Sequence, residues 1–197
     1  MPATEPAGLF RLDELAHAAL SRAVHALPAG LELTLLDATA GNGYDTLFLA
    51  ELASQGTVYA FDVQEAALNA TRERLQGLLP PHPDVRLILD SHAHLAQYVQ
   101  GPVHAALFNL GFLPGSDKSV ITKRASTLAA LNALAPRMAP GGLLSVHLYT
   151  GHAGGLDEAC AVIAWAAELP RNTWHVLHTT QLNKPGNPEH LLLVARR

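Results

Sequence analysis

The sequence predicts an α/β fold: a doubly wound, mostly parallel sheet of seven strands that ends in an antiparallel hairpin. Short apolar runs of strand length alternate with longer helix-length segments along most of the 197 residues. The last two apolar runs are joined only by residues 181–189, which is too short for the helical crossover that parallel strands require. The composition, 49% hydrophobic and 15% charged, supplies enough apolar side chains to bury a large core.

Residues 1–30 are expected to form an N-terminal extension with one helix, and residues 31–197 a single main domain. The helix is predicted over Phe10–Leu27, where apolar residues recur on one side. The stretch Pro28–Gly30 then ends it. We expect this helix either to pack on the sheet or to form a contact in a homodimer.

Strands and helices alternate through the rest of the chain. The predicted strands are Leu33–Leu36, Val58–Phe61, Arg86–Leu89, His104–Phe108, Leu143–Leu148, His175–Thr179 and Leu191–Ala195. The predicted helices are Thr46–Ala53, Glu65–Leu78, Thr122–Met138 and Leu156–Leu169, with a shorter helical piece at His94–Val99. Because the carboxyl ends of parallel strands meet at one edge of the sheet, polar residues after these strands are candidates for a ligand site.

The loop after the first strand is the first such segment. Its candidate cofactor-binding residues are Asp37, Gly41, Asn42, Gly43, Asp45 and Thr46. The glycines allow a sharp turn and close approach of a ligand, and the next helix offers free N–H groups there. A dinucleotide fingerprint needs a third glycine where this chain has Thr46, which disfavours a nicotinamide or flavin cofactor. The two acids suit the ammonium and sulfonium charges of S-adenosylmethionine, and Asn42 suits its amino-acid end, although Asp45 can instead cap the helix.

Two further segments follow the second and third strands. Asp62 lies 19 residues after Gly43, close to the spacing at which an acid binds ribose hydroxyls, and Gln64 lies beside it. Asp62 can alternatively cap the helix that starts at Glu65. Ser91 and His92 come where an adenine ring is usually bracketed, although each is also an ordinary turn residue.

The fourth segment follows the fourth strand, next to the expected position of a transferable methyl group. Asn109 is a candidate both for the cofactor site and for orienting an acceptor amine through its amide oxygen. Phe112 can stack on a base. A packed turn in which Asn109 caps the backbone is the alternative. Together with the terminal hairpin, the four segments predict a Rossmann-like class I methyltransferase that uses S-adenosylmethionine.

Three blocks of the sequence resemble a known family. They are Asp37–Thr46 with Phe61–Gln64, Asn109–Lys118 with Thr122, and Tyr149–Gly155 with Glu158. These blocks are similar to the family labelled "putative rRNA methylase", which includes the bacterial tRNA 5-aminomethyl-2-thiouridine methyltransferase. The resemblance runs from about Leu33 to Val194. The chain differs from the usual family pattern at Phe112 (Tyr), at Ser116 (Gly) and in the separated prolines near its end.

The resemblance implies methyl transfer from S-adenosylmethionine to the aminomethyl nitrogen of a modified wobble uridine, with a tRNA anticodon stem-loop as partner. The candidate catalytic residues are Asn109, Asp117, Tyr149 and His152. Asn109 would orient the amine, and the other three would accept a proton or position the substrate. Histidine is a side chain that often serves as a base, which makes His152 a candidate, but His152 can equally cap a glycine-rich loop. The candidate substrate-binding residues are Phe112, Pro114, Lys118, Thr122, Lys123 and Lys184.

Composition restricts the remaining possibilities. The single cysteine and the scattered histidines do not predict a disulfide framework or a metal site. No apolar run is long enough for a membrane span, so a cytoplasmic protein is expected. The net charge of −4 does not indicate a large RNA-binding surface. Two alternatives therefore stay open: a methyltransferase for rRNA or a small amine, and a module that binds S-adenosylmethionine without catalysis.

Overall fold

The computed structural model describes residues 11–111, 121–184 and 186–197. Within these ranges the helices are α1 (Leu12–His25), α2 (Tyr44–Leu52), α3 (Glu65–Leu75), α4 (Arg124–Leu134) and α5 (Gly155–Ala167). The strands are β1 (Leu33–Asp37), β2 (Gly56–Asp62), β3 (Asp84–Leu89), β4 (Val103–Leu110), β5 (Met138–Leu148), β6 (Trp174–Thr180) and β7 (His190–Arg196). Short 3₁₀ helices are formed by His92–Gln97 and Ala135–Arg137.

The seven strands form one sheet in the order β3-β2-β1-β4-β5-β7-β6. The first five strands pair in parallel, whereas β7 lies antiparallel between β5 and β6. The predicted fold class is therefore confirmed. The chain order reverses between β1 and β4, and such a switch point is where open α/β sheets bind their ligands.

Two predicted helix ends and one strand start were wrong. The helix predicted over Thr122–Met138 begins at Arg124 and ends at Leu134, because Pro136 has no N–H to continue it and a 3₁₀ turn follows. Met138 then starts β5, five residues before the predicted strand, and the pairing with β4 shifts register to accommodate this. The helix predicted over Glu65–Leu78 ends at Leu75.

Apolar side chains are buried on both faces of the sheet, as expected for parallel strands covered by helices. Neighbouring residues of one strand serve opposite faces: Leu35 packs with Leu20 and Leu49 of α1 and α2, whereas Leu36 packs with residues of α4 and α5 such as Leu131. Burial of each such side chain stabilises the fold by ~1.5–3 kcal/mol. This packing fixes the strand ends that carry the polar loops.

Helix α1 packs on the sheet. Its residues Leu12, Ala16, Leu20 and Val24 are spaced four apart, are all buried, and form a stripe along one side. The first two of them pack against Leu191 of β7. This contact places the start of α1 beside the start of β7, where Leu191 pairs with His147 near the carboxyl end of β5. In the parts of the chain that the structure describes, the helices are too short or too polar to cross a membrane.

Candidate active site

A cavity of about 900 Å³ opens at the carboxyl ends of the parallel strands. One side of it, the loop side, is formed by the segments after β1, β2 and β3 (residues 38–45, 61–64 and 90–92). The other side, the hairpin side, is formed by the start of α1 (residues 11–17), the segment after β5 (residues 149–152) and the loop before β7 (residues 187–189). Asn109, at the end of β4, lies between the two sides.

The structure brings most of the predicted site residues together around this cavity. The predicted residues that line it are Gly41, Asn42, Asp45, Asp62, Gln64, Ser91, His92, Asn109, Thr122, Tyr149 and His152. The predicted residues that do not line it are Asp37, Gly43, Thr46, Lys123 and Lys184. Phe112, Pro114, Asp117 and Lys118 lie outside the described residues.

Asp37 and Thr46 lie beneath the loop side. The Asp37 carboxyl is fully buried and accepts hydrogen bonds from the Thr46 hydroxyl (2.6 Å) and the Thr39 N–H (3.0 Å). These bonds tie the turn after β1 to the first residues of α2. Burial and the nearby charge of Asp45 raise the pKa of Asp37 to about 7. The helix is capped by Gly43 and not by Asp45, whose carboxylate instead contacts side chains of α1 and β4.

Gly43 starts α2 against α3. Its φ of +79° is a left-handed conformation that glycine adopts without strain. A Cβ at this position would lie only 2.7 Å from the Cα of Thr71, so a larger residue would push the two helices apart. Gly43 therefore fixes the shape of the turn without facing the cavity.

Asp62 joins two loops of the loop side. One of its carboxylate oxygens accepts the N–H of Gly41 and the other accepts the N–H of Gln64, each at 2.9 Å. Gln64 is the N-cap residue of α3, so Asp62 does not have the capping role that was the alternative. Each carboxylate oxygen has a second acceptor direction. Asp62 can therefore accept two hydroxyl groups of a ligand in the cavity.

His92 is buried in the wall of the loop side. Its Nδ1 lies 3.1 Å from the carbonyl oxygen of Ala38, which can only accept, so Nδ1 carries the proton and Nε2 is an acceptor. Burial lowers the pKa of His92, which favours the neutral ring. Among the described residues, Nε2 has no hydrogen-bond partner. Beside it, Ser91 caps the 3₁₀ helix by accepting the N–H of Ala93 at 3.2 Å.

Asn109 is held at both its main chain and its side chain. Its N–H donates to the Thr39 hydroxyl (2.8 Å), and its amide Nδ2 donates to Asp45 (3.2 Å). A carboxylate only accepts hydrogen bonds, so the amide nitrogen must face Asp45 and the amide oxygen must face the other way. The other oxygen of Asp45 lies 2.7 Å from Nε2 of His17.

A second hydrogen-bonded network of side chains lies on the hairpin side. Nε2 of His147 is 3.2 Å from the carboxylate of Glu189, and Nδ1 of His147 is 3.3 Å from the hydroxyl of Tyr149. Since the carboxylate can only accept, Nε2 carries the proton and the Tyr149 hydroxyl donates to Nδ1. Lys184 pairs with the other oxygen of Glu189. The Thr150 hydroxyl donates to the carbonyl of Pro188 (2.9 Å), which holds the loop before β7 against the end of β5.

Burial influences the protonation of this hydrogen-bonded network. It lowers the pKa of His147, although Glu189 opposes the shift, and it raises the pKa of Tyr149. Burial also acts to raise the pKa of Glu189, but Lys184 and His147 together hold it below its ordinary value. Near neutral pH the hydrogen-bonded network therefore consists of a protonated tyrosine, a neutral imidazole and a carboxylate.

Thr122 and His152 complete the rim of the cavity. The Thr122 hydroxyl donates to the buried Glu158 (2.8 Å), and its N–H donates to the carbonyl of Gly111 (2.9 Å). His152 places Nδ1 3.2 Å from the carbonyl of Ala153, in the loop before α5. Lys123, at the start of α4, is exposed.

Sequence reasoning missed His17, His147 and Glu189. His17 is separated from Asp45 by 28 positions and His147 from Glu189 by 42, so no local motif links the partners. The available signals were weak: a histidine beside the apolar stripe of α1, and one inside an otherwise apolar strand. Neither indicates a site until the hairpin and α1 are placed on the sheet.

The acids of the loop side suit a cationic ligand. Asp37, Asp45 and Asp62 lie close enough for the charges of the last two to raise the pKa of the first. A ligand with ammonium and sulfonium charges would relieve this repulsion. The sheet has the strand order and terminal hairpin of a class I S-adenosylmethionine-dependent methyltransferase. The acidic cavity at the strand ends agrees with that class.

The family comparison agrees with the fold and the cavity. The chain belongs to the family described as "Putative rRNA methylase", whose model matches residues 58–195. The family and the enzyme class predicted from the sequence are thus confirmed. The matched range begins within β2, so α1, β1 and the turn that follows β1 lie outside it.

Individual relatives support the same class. A "putative rRNA-methylase" from Clostridium thermocellum has a TM-score of 0.86 and 30% identity, covering 96% of this chain and 100% of its own. A "putative methyltransferase" from Streptococcus mutans, solved in complex with SAH, has a TM-score of 0.82 and 39% identity over the same shares. Since SAH is the product of S-adenosylmethionine, the predicted cofactor is confirmed.

One relative carries a more specific name. The chloroplastic tRNA (mnm(5)s(2)U34)-methyltransferase of Arabidopsis thaliana is 35% identical over 173 residues, which are 83% of this chain. The match spans 63% of that relative's length.

Proposed function

We propose that this protein methylates the aminomethyl nitrogen of 5-aminomethyl-(2-thio)uridine at the wobble position of tRNA, which gives 5-methylaminomethyl-(2-thio)uridine. The observation that carries the proposal is the orientation of Asn109. Its amide nitrogen is engaged by Asp45, so its oxygen is left to accept an N–H bond from a ligand in the cavity. An acceptor at this point suits an amine. The name of the Arabidopsis relative supports tRNA as the carrier of that amine.

The loop side would hold the cofactor. Gly41, Asn42 and Asp45 would bind its amino-acid end, and Asp62 with Gln64 would bind the ribose. Ser91 and His92 would contact the adenine, for which the neutral Nε2 of His92 is a buried acceptor. When bound, S-adenosylmethionine supplies an electrophilic methyl group on a positively charged sulfur.

The hairpin side would prepare the amine. An ammonium group has no lone pair, so one N–H proton must leave before the nitrogen can attack the methyl carbon. The proton would pass to the oxygen of Tyr149 while the hydroxyl proton of Tyr149 passes to Nδ1 of His147. The imidazolium formed in this step lies beside the carboxylate of Glu189, which stabilises it. His152, another of the sequence candidates for proton acceptance, lines the same cavity and is the second candidate.

Basic residues near the cavity would contact the anticodon stem-loop. Lys123 is exposed at the start of α4 and is available to a phosphate. Lys184 is engaged with Glu189, so its first role would be to hold that carboxylate. Phosphate contacts of this kind position an RNA without reading its sequence.

The test uses tRNA that carries 5-aminomethyl-2-thiouridine. Incubation with the enzyme and S-adenosylmethionine should convert this nucleoside to its methylamino form, detected by mass spectrometry of the digested tRNA. The matched control is the same tRNA with unmodified uridine at the wobble position, which should gain no methyl group. Transfer to rRNA fragments or to a free amine, with none to the modified tRNA, would replace this proposal with the corresponding alternative.

A further inference from the structure

Helix α1 places one imidazole in the active-site cavity. Nε2 of His17 lies 2.7 Å from one carboxylate oxygen of Asp45, and the ring stacks on Phe48 with centroids 3.8 Å apart. The side chain of His17 is 30% exposed and lines the cavity. This residue lies outside the range matched by the family model.

The contact fixes the direction of Asp45. Its carboxylate accepts from His17 on one oxygen and from the amide of Asn109 on the other. The partners come from three elements, α1, α2 and β4. With both oxygens engaged, the carboxylate is restrained from rotating, and the amide of Asn109 keeps its nitrogen turned toward Asp45.

Packing alone does not account for His17. The four buried apolar residues of α1 already attach the helix to the sheet. A partly exposed imidazole beside them adds little apolar burial, whereas its N–H reaches a carboxylate within the cavity. The polar contact, rather than the ring stacking, is therefore the feature that needs explanation.

We infer that His17 is a positioning residue for methyl transfer, acting through Asp45 to keep the amide oxygen of Asn109 directed at the acceptor nitrogen. The inference rests on the role proposed above for Asn109. It also gives α1 a function beyond packing, because this helix supplies the donor that holds the carboxylate. A misplacement of about 1 Å in such an arrangement can lower a rate by ~10²-fold.

Two substitutions distinguish the role of the N–H donor of His17 from the role of its aromatic ring. His17→Gln keeps a donor near the position of Nε2 and removes the aromatic ring. His17→Phe keeps the stacking on Phe48 and removes the donor. His25→Gln, on the same helix and exposed, is the matched control. We expect kcat of H17Q and H25Q to stay within about 3-fold of the wild type, and kcat of H17F to fall about 30- to 100-fold.

The other constants report whether the effect is positional. KM for the modified tRNA and the Kd for SAH should change less than about 3-fold in H17F. The residues proposed to bind the cofactor on the loop side, and Lys123 for the RNA, are all still present in this variant. Thermal unfolding of each variant checks the fold, and His17→Leu replaces H17F if the latter unfolds below the assay temperature. The opposite pattern, with H17F active and H17Q inactive, would assign His17 to packing and overturn the inference.

A second readout needs no RNA. In protein saturated with SAH, the side-chain amide signals of Asn109, identified by their loss in Asn109→Ala, should be unchanged in H17Q and displaced in H17F. Equal signals in all three proteins would overturn the inference. If the wild type fails to methylate the modified tRNA, the proposed function falls, and the amide signals alone then decide the role of His17.

Discussion

The loop side of the cavity is built from three short segments that each directly follow a strand, whereas the hairpin side draws its groups from α1, the end of β5 and the loop before β7. On the loop side, Asp62 bonds to Gly41 and Gln64, residues of two adjacent loops. On the hairpin side, His147 and Glu189 are 42 positions apart. The comparison indicates that neighbouring loops build the side proposed to bind the cofactor, whereas long-range packing builds the side proposed to act on the acceptor.

Substitutions on the two sides should therefore impair different properties of the enzyme. A substitution on the loop side should weaken cofactor binding, and one on the hairpin side should slow turnover while cofactor binding stays intact. Asn109 and Asp45 join the sides, so substitutions there test whether the separation is complete.

The largest effect is expected for Asp62→Ala. It would remove the two charge-assisted hydrogen bonds proposed to the ribose, each contributing ~1.5–3 kcal/mol, and it leaves the N–H groups of Gly41 and Gln64 without their acceptor. Calorimetry should show SAH binding weakened by about 100- to 10,000-fold. Asp84→Ala, an exposed acid at the start of β3, is the control and should bind normally. Unchanged affinity of D62A would refute the assignment of Asp62 to the ribose.

Tyr149→Phe should give a smaller effect, confined to turnover. General acid–base assistance contributes ~10²–10⁴-fold, and the other candidate, His152, remains, so we expect kcat to fall about 30- to 100-fold at neutral pH. The deficit should shrink as pH rises, because the amine then loses its proton without help. Affinity for SAH should not change. Tyr59→Phe, whose hydroxyl lies 3.2 Å from Arg86 and away from the cavity, is the control.

A deficit in Tyr149→Phe that is constant across the pH range would argue against proton transfer. It would indicate that the hydroxyl only shapes the hairpin side. A loss of SAH affinity in the same variant would show that the two sides are coupled more closely than their separate construction suggests.

The same division explains what the sequence could predict. Alternating apolar runs and the short last connection were enough to predict the sheet, since periodicity and connection length are both local properties of the sequence. The polar residues after β1 to β4 were identified because parallel strands bring their ends to one edge. His17 and Glu189 were not, because their partners depend on how α1 and the hairpin pack. Asp37 was placed in the cofactor site, but its position beneath the turn depends on burial, which the motif does not show.

Asp37→Asn tests that buried position and should have the smallest effect. The pKa of Asp37 is raised from 3.8 to about 7, so the folded state binds its proton more tightly than the unfolded state. Its contribution to stability is therefore fully present below pH ~4 and is lost as pH rises through about 7. Between pH 5 and 8 the wild type should lose ~1–2 kcal/mol of unfolding free energy from this group, allowing for its coupling to Asp45. Because asparagine does not titrate, D37N should lack this decline, as measured by denaturant unfolding at both pH values. An equal decline in D37N would mean that Asp37 is already ionised in the folded state, held so by the turn after β1. The repulsion among the acids of the loop side would then be offset by the protein itself, before a cationic cofactor binds.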